Sequence, residues 1–266
     1  MFRPAKGMQY YRFLRRLHEK LMFDWYMEVG CRKGTSFAPV RSKTIAVDPF
    51  FRARVNIIGQ KPALHVFQQT SDEFFASGYL ARSEIRLGLS FLDGMHLYEY
   101  LLRDVMNTEA DSDPNGVILL HDCVPFGFGM TTRDLQNLPR RFGSGGPWRL
   151  VPKDWQPRAP WTGDVWKLIP ILQKWRPDLK LTVLDCAPTG LVCLSNLAPD
   201  NRVLRENYDA IRAEFDEVDL EGYGSERFFA SFEMTRAEDC ARDGFPLFQP
   251  ASIDASKALR PTLHST

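Results

Sequence analysis

Four side chains able to move protons or bind cations stand at the ends of two apolar runs. Asp93 closes one run in FLDGMH (residues 91–96), with His96 three residues on, and His121 and Asp122 close another in LLHDC (119–123). Runs of this length read as buried strands, and neighbouring strand ends put such carboxylates about 5 Å apart. Two carboxylates that close repel unless something binds them, and a hard cation completed by oxygen ligands and water is the simplest resolution. His96, expected in the first turn of the next helix, would face the same edge and could act as a base near neutral pH. Each residue also has a plain alternative: either aspartate as a helix cap, His96 as a packed surface histidine.

A second constellation lies in YMEVGCRKGTSF (26–37), where Glu28, Gly30 and Gly34 follow an apolar run. A dinucleotide fingerprint needs GxGxxG, but Arg32 and Thr35 occupy its second and third glycine positions, so the pyrophosphate reading fails on sterics. What remains is ExGxxxG, with Asp48 ending the following run, where a carboxylate can accept bonds from two ribose hydroxyls. Glycines at such a turn can also serve tight backbone packing alone.

These residues need a sheet to hold them. WYMEVG (25–30), TIAVD (44–48), ALHVFQQ (63–69), IRLGLSFLD (85–93) and GVILLHD (116–122) read as strands, with a helix from Ser71, which can cap it, and another over HLYEYLLRDVMNTEA (96–110). Strands alternating with helices imply a parallel sheet. LKLTVLD (179–185) and GLVCLSN (190–196) are joined by a link too short for a crossover, so the sheet should end in an antiparallel pair.

Between these parts, Cys123 to Lys167 is dense in Gly, Pro and aromatics, the composition of a lid or binding loop. Trp155, Trp161 and Trp166 argue against disorder, and Trp161, Asp164 and Trp166 could exclude water and stack on a substrate ring. Alternatively Asp164 caps VWKLIPILQKW and the tryptophans simply pack. MQYYRFLRRLHEKLMF (8–23) places Tyr10, Phe13, Leu14, Leu17 and Leu21 on one helical face. A membrane-surface or targeting helix is conceivable there, but no cleavage site follows, and packing against the next domain is the simpler reading. NRVLRENYDAIRAEFDEV (201–218) reads as one amphipathic helix, and the tail from about Ala251 has no pattern.

Composition bounds the rest. The 266 residues are 44% hydrophobic, enough for one continuous core, and 34 Lys and Arg against 33 Asp and Glu give a net charge of +1, so no global field draws nucleic acid. Five scattered cysteines without a CxxC pair argue against a zinc cluster and a secreted disulfide framework, and point to a reducing cytoplasm. Aliphatic runs such as GVILL (116–120) are far too short to span a bilayer.

EVGCRKGTS, AVDPF, FQQTSDEFF, FLDGMHLYEYLLRD, GVILLHD, GDVWK and PTGLVCLSNL, in that order and spacing, resemble the class I S-adenosylmethionine-dependent methyltransferases, over about residues 22–197. They are most similar to the small-molecule, sugar and macrolide-type O-methyltransferases and to proteins related to cephalosporin hydroxylase. The resemblance implies a Rossmann-like α/β fold: a seven-stranded, mostly parallel sheet of order 3-2-1-4-5-7-6 with helices on both faces. With the pattern outside the match, the chain divides into a helical extension at 1–24, a methyltransferase domain at 25–200 with a lid at about 123–165, and a C-terminal helix and tail at 201–266. It further implies that Glu28, Gly30, Gly34, Thr35 and Ser36 form the cofactor turn and that Asp48 binds the ribose. Gln68, Thr70 and Ser71 would lie on the adenine side, Asp93 would touch the cofactor too, and His96 takes the base position.

Asp93 and Asp122 match metal-ligand positions, and His121 stands where the metal-dependent relatives carry a carboxylate. Imidazole suits Mn, Fe, Co or Zn better than Mg, so either the metal differs, His121 stands behind the ligands, or the metal is lost. The expected partners are S-adenosylmethionine, a divalent metal (Mg, Mn or another transition metal) and a small-molecule hydroxyl substrate, with no nucleic acid and no membrane. The oligomeric state stays open, a homo-oligomer included. Three other readings remain: an NAD-dependent enzyme, a non-catalytic member of the same fold in a biosynthetic pathway, and a nucleic-acid or protein methyltransferase.

Overall fold

The computed structural model describes residues 1–134 and 161–254; Trp155, the middle of the expected lid and the end of the tail lie outside the described residues. The chain opens with α1 (Tyr10–Lys20) and β1 (Met22–Phe23). Then come β2 (Trp25–Val29), β3 (Lys43–Val47) and β4 (Leu64–Phe67), followed by the short helices α2 (Ser71–Ala76) and α3 (Tyr79–Arg82). β5 (Leu87–Leu92), α4 (Tyr98–Ala110) and β6 (Ser112–His121) complete the part that carries the acidic residues. Next come α5 (Leu168–Trp175), β7 (Lys180–Leu184) and β8 (Leu191–Ser195). The C-terminal part holds α6 (Val203–Glu206), α7 (Tyr208–Phe215), α8 (Leu220–Tyr223), α9 (Ser225–Ala230), β9 (Met234–Thr235), α10 (Ala237–Arg242) and β10 (Ser252–Ile253).

The central sheet runs β4-β3-β2-β5-β6-β8-β7-β9. Strands β2 to β6 are parallel, and β8 is antiparallel to both β6 and β7. The fold is thus a Rossmann-like, mostly parallel α/β sheet. Seven strands follow the expected 3-2-1-4-5-7-6 order, and β9 corrects the count to eight by adding beside β7. A two-residue strand, flanked by Glu233 and Arg236, carries no periodic signal of its own, so only docking reveals it.

Period-two alternation sorts the side chains. Met27 and Val29 of β2, Leu92 of β5, and Ile118 and Leu120 of β6 join a core covered by α4, α5 and the C-terminal helices. Tyr26, Leu89, Phe91, Val117 and Leu119 join a second core, on the opposite face, covered by Phe13, Leu14 and Leu17 of α1 and by Ala237, Cys240 and Ala241 of α10. Helices therefore lie on both faces, and α1 packs its apolar stripe on the domain. The helix expected over 201–218 is broken between α6 and α7 at Asn207, which leaves helical backbone (φ −108°, ψ 14°) and whose side-chain amide donates to the Val203 carbonyl (2.8 Å). All five cysteines are unpaired and buried.

Candidate functional site

The register of β5 and β6 explains why the acidic residues meet. Phe91 lies opposite Leu119; two residues on, at the carboxyl ends, Asp93 and His121 emerge on the same face. His121 Nδ1 is 3.1 Å from Asp93 Oδ1 and 3.4 Å from Asp122 Oδ2. Asp122 turns back towards this pair because its φ is +60°, a left-handed conformation. The Thr189 hydroxyl donates to Asp122 Oδ1 (2.5 Å) and stands 3.4 Å from His121 Nε2. Tyr10 of α1 lays its ring over His121, centroids 4.1 Å apart.

His96 completes the cluster from the loop ahead of α4. It precedes the first helical residue, Tyr98, by two positions, not inside the first turn as the sequence suggests, because the helix is capped from elsewhere: Asp164 accepts the Tyr98 amide (2.9 Å). His96 Nδ1 lies 2.9 Å from the Trp161 carbonyl, which can only accept, so this nitrogen carries the proton. Its Nε2 faces Asp93 Oδ1 and Asp122 Oδ2, each at 3.4 Å. Asp93, His96 and Asp122 offer three donor atoms that all lie within 4.8 Å of one another. Two carboxylates and an imidazole, oriented behind by a carbonyl, form a donor set suited to Mn and other divalent cations, so the residues fit a metal.

Burial and charge compete here. Burial pushes the Asp93 carboxyl up, but the imidazoles of His121 and His96 outweigh it and hold it well below the usual range. Burial lowers the histidines, but their carboxylate neighbours raise His96 to about 8 and His121 to about 10. The two carboxylates are thus balanced either by imidazolium protons or by a cation.

The returning segment is fixed to this loop. The Trp161 ring stacks on His96 (5.0 Å, 27°), so it covers the imidazole, while its indole N–H donates to the Thr132 carbonyl (2.7 Å). Gly163 has φ +54°, and a Cβ there would strike the His96 carbonyl at 1.7 Å. Asp164 does not cap its own helix; it holds the head of α4 and pairs with Arg133 (2.6 Å) and Lys167 (2.9 Å). Arg133 also grips Glu99 of α4 (2.6 Å). Trp166 is fully buried in the core.

The turn after β2 is built differently from expectation. Gly30 has φ +92°, and a Cβ there would meet the Asp93 carbonyl at 2.0 Å, so glycine lets the turn pack on the end of β5. Glu28 is sealed: Tyr26 donates to it (2.6 Å), as does Ser36, and burial raises its pKa to about 7 against those hydrogen bonds. Gly34 (φ +79°) is roofed by Ile57, which a Cβ would meet at 2.4 Å. Thr35 is exposed. Asp48 accepts the amides of Arg32 (2.8 Å) and Phe50 (2.6 Å), leaving lone pairs for further donors. Gln68 is exposed, Thr70 rather than Ser71 caps α2 in a capping box with Glu73, and Ser71 bonds to Asp104. Of the residues expected to form the cofactor site, Thr35 and Gln68 are exposed and Gly30 is half-buried, while Glu28, Gly34, Ser36 and Asp48 are buried.

No family model matches the chain, and no curated protein does. Several solved structures are similar to it over part of the chain. An O-methyltransferase from Bacillus cereus in complex with SAH is 15% identical, covering 70% of this chain and 80% of that one, with a TM-score of 0.43. The O-methyltransferase TomG from Streptomyces achromogenes, in complex with SAM, is 12% identical over 71% and 80%, TM-score 0.43. MycE methyltransferase from the mycinamycin biosynthetic pathway, in complex with Mg, SAH and mycinamycin VI, is 14% identical over 72% of this chain and 49% of that one, TM-score 0.41.

Sequence reasoning missed Thr189, Tyr10 as a lid on His121, and the Trp161 carbonyl. The first two sit far from the acidic motifs in sequence, and a backbone carbonyl leaves no trace in residue type.

Proposed function

We propose that this protein passes the methyl group of S-adenosylmethionine to a hydroxyl of a small molecule, with a divalent cation held by Asp93, His96 and Asp122. The observation that carries the reading is the convergence of those three donors at the carboxyl edge of β5 and β6, against the turn at Gly30. Asp48 would take the ribose hydroxyls, Gly30 and Thr35 the methionine side, and Gln68 the adenine side. When bound, the cofactor supplies an electrophilic methyl on a sulfonium, and the cation supplies charge that lowers the pKa of a hydroxyl.

The chain's own share is positioning, which can lower a barrier by up to ~7 to 11 kcal/mol. The Trp161 carbonyl fixes the His96 tautomer and the Trp161 ring shields one face of the imidazole. A second reading keeps His96 as the general base, because its side chain is 20% exposed against 6% for His121 and can be reached by an acceptor. The two roles exclude each other at one instant, since both use the single lone pair on Nε2.

Calorimetric titration separates them. S-adenosylmethionine should bind in the micromolar range to the wild type, and Asp122→Asn should weaken Mn²⁺ at least about tenfold while sparing the cofactor. If His96→Ala weakens Mn²⁺ equally, His96 is a ligand; if it leaves Mn²⁺ affinity intact, His96 is free to act as the base. Failure of the wild type to bind S-adenosylmethionine would remove the whole reading.

A further inference from the structure

The even overall charge conceals a one-sided distribution. Residues 1–61 hold thirteen Lys and Arg against four Asp and Glu, and no acid occurs from Pro49 to Ser71. Two of the four acids, Glu28 and Asp48, are buried. Folding brings the cations of α1 and of the 49–61 segment to one side, because both lie over the same core: Phe51 and Ile57 pack on the cluster that holds Phe13, Leu14 and Leu17. The amides of Arg52 and Arg54 donate to the carbonyls of Arg32 and Lys33 (2.6 and 3.2 Å), which lays that segment along the glycine turn. Arg32, Lys33, Arg52 and Arg54 are all exposed, as are Arg12 and Arg15 of α1. Among the described residues no carboxylate pairs with Arg32, Lys33 or Arg54. Between these cations apolar side chains stand in water: Phe50 is 73% exposed, Ile58 65% and Val55 43%.

We propose that this face docks the protein on an anionic membrane surface, with Phe50, Val55 and Ile58 entering the headgroup region and the surrounding Lys and Arg lying against lipid phosphates. Charge alone would suit any polyanion. The aliphatic tips decide for lipid, because a nucleic acid offers stacking planes and phosphates but nothing that buries Ile58 and Val55, whereas a bilayer interface takes cations and apolar tips together. Docking needs neither cofactor nor catalysis, so it goes beyond the methyl-transfer reading. It also departs from the expectation of no membrane partner, which rested on the shortness of the aliphatic runs and on the packing of the first helix against the domain.

The full chain is sedimented with vesicles of phosphatidylcholine alone or mixed with phosphatidylserine, at about 0.1 M salt, where the Debye length is about 10 Å. The protein should sediment with the serine-containing vesicles and stay in solution with the neutral ones. Each cation near the surface contributes about fivefold in partition, so the double variant Lys33→Glu with Arg54→Glu should lose at least about tenfold. Phe50→Ser with Ile58→Ser should also release the protein, while Lys180→Glu on the distant strand β7 leaves binding unchanged. All substituted side chains are exposed, so melting curves should match the wild type. No sedimentation with anionic vesicles overturns the proposal, as does undiminished binding by Phe50→Ser with Ile58→Ser. Tighter binding to a single-stranded RNA than to anionic vesicles, insensitive to Ile58→Ser, would mark a polyanion site and overturn it too.

Discussion

Asp104, on the buried side of α4, answers the problem of buried charge differently from Asp93. It is 1% exposed, and its Oδ1 has no hydrogen-bond partner among the described residues. Burial raises its pKa from 3.8 to about 7, with a Ser71 hydrogen bond opposing. Asp93 and Asp122 have imidazoles to balance them; Asp104 has only a proton. Because the folded-state pKa is the higher one, the stability this proton contributes is present below about pH 4 and is lost as pH rises through 7. Asp104→Asn should remove that dependence, narrowing the drop in unfolding free energy between pH 5 and pH 8 by about 2 to 4 kcal/mol relative to the wild type. Urea denaturation at the two pH values measures it, and an equal drop in both proteins would show that Asp104 is not the titrating group.

At the scale of elements, α1 is the part whose docking can be titrated. His18 is fully buried in it, edge-on to Tyr26 (4.9 Å), with neither ring nitrogen hydrogen-bonded among the described residues. Burial first, then the nearby cations Lys61 and Arg41, lower its pKa to about 3. Here the folded-state pKa is the lower one for a base, so the stability of the neutral ring is present above about pH 6.5 and is lost as pH falls towards 3. Full protonation would cost on the order of 4 to 5 kcal/mol. Acidification should therefore release α1, and with it the Tyr10 ring over His121. Limited proteolysis should cut within residues 10–20 faster at about pH 5 than at pH 7, and His18→Leu should suppress the difference. Equal cleavage of wild type and variant at both pH values would disprove it.

Across the whole molecule, the C-terminal part is not an appendage. β9 extends the central sheet beside β7, β10 pairs with β1, and Phe245 and Phe248 set their rings 5.4 and 6.1 Å from Phe13. Loss of a buried phenylalanine typically costs about 3 to 5 kcal/mol, and whole domains are stable by only about 5 to 15. A chain ending after Asn201 should therefore lose cooperative unfolding, with an exposed core that binds a hydrophobic dye. A sharp melting transition in that truncated chain would show the C-terminal part to be dispensable.

The alternation of apolar runs and helices by itself determined the parallel sheet, its antiparallel end and the joint arrival of Asp93, His96, His121 and Asp122 at one edge, because strand period and strand ends are local properties. The buried stripe of α1 was legible for the same reason. What only the tertiary structure decided depends on which surfaces meet. It turned the Trp161 carbonyl onto His96, sent Asp164 to cap α4 instead of its own helix, and sealed Glu28 behind the turn it was expected to open. It roofed Gly34 with Ile57, and brought Thr189 and Tyr10 onto His121. It also brought the cations of α1, the glycine turn and the 49–61 segment to one face, where composition showed only a balance. Each of these rests on contacts between segments distant in sequence, and packing shape and partner choice at such distances leave no period or spacing in the chain to read.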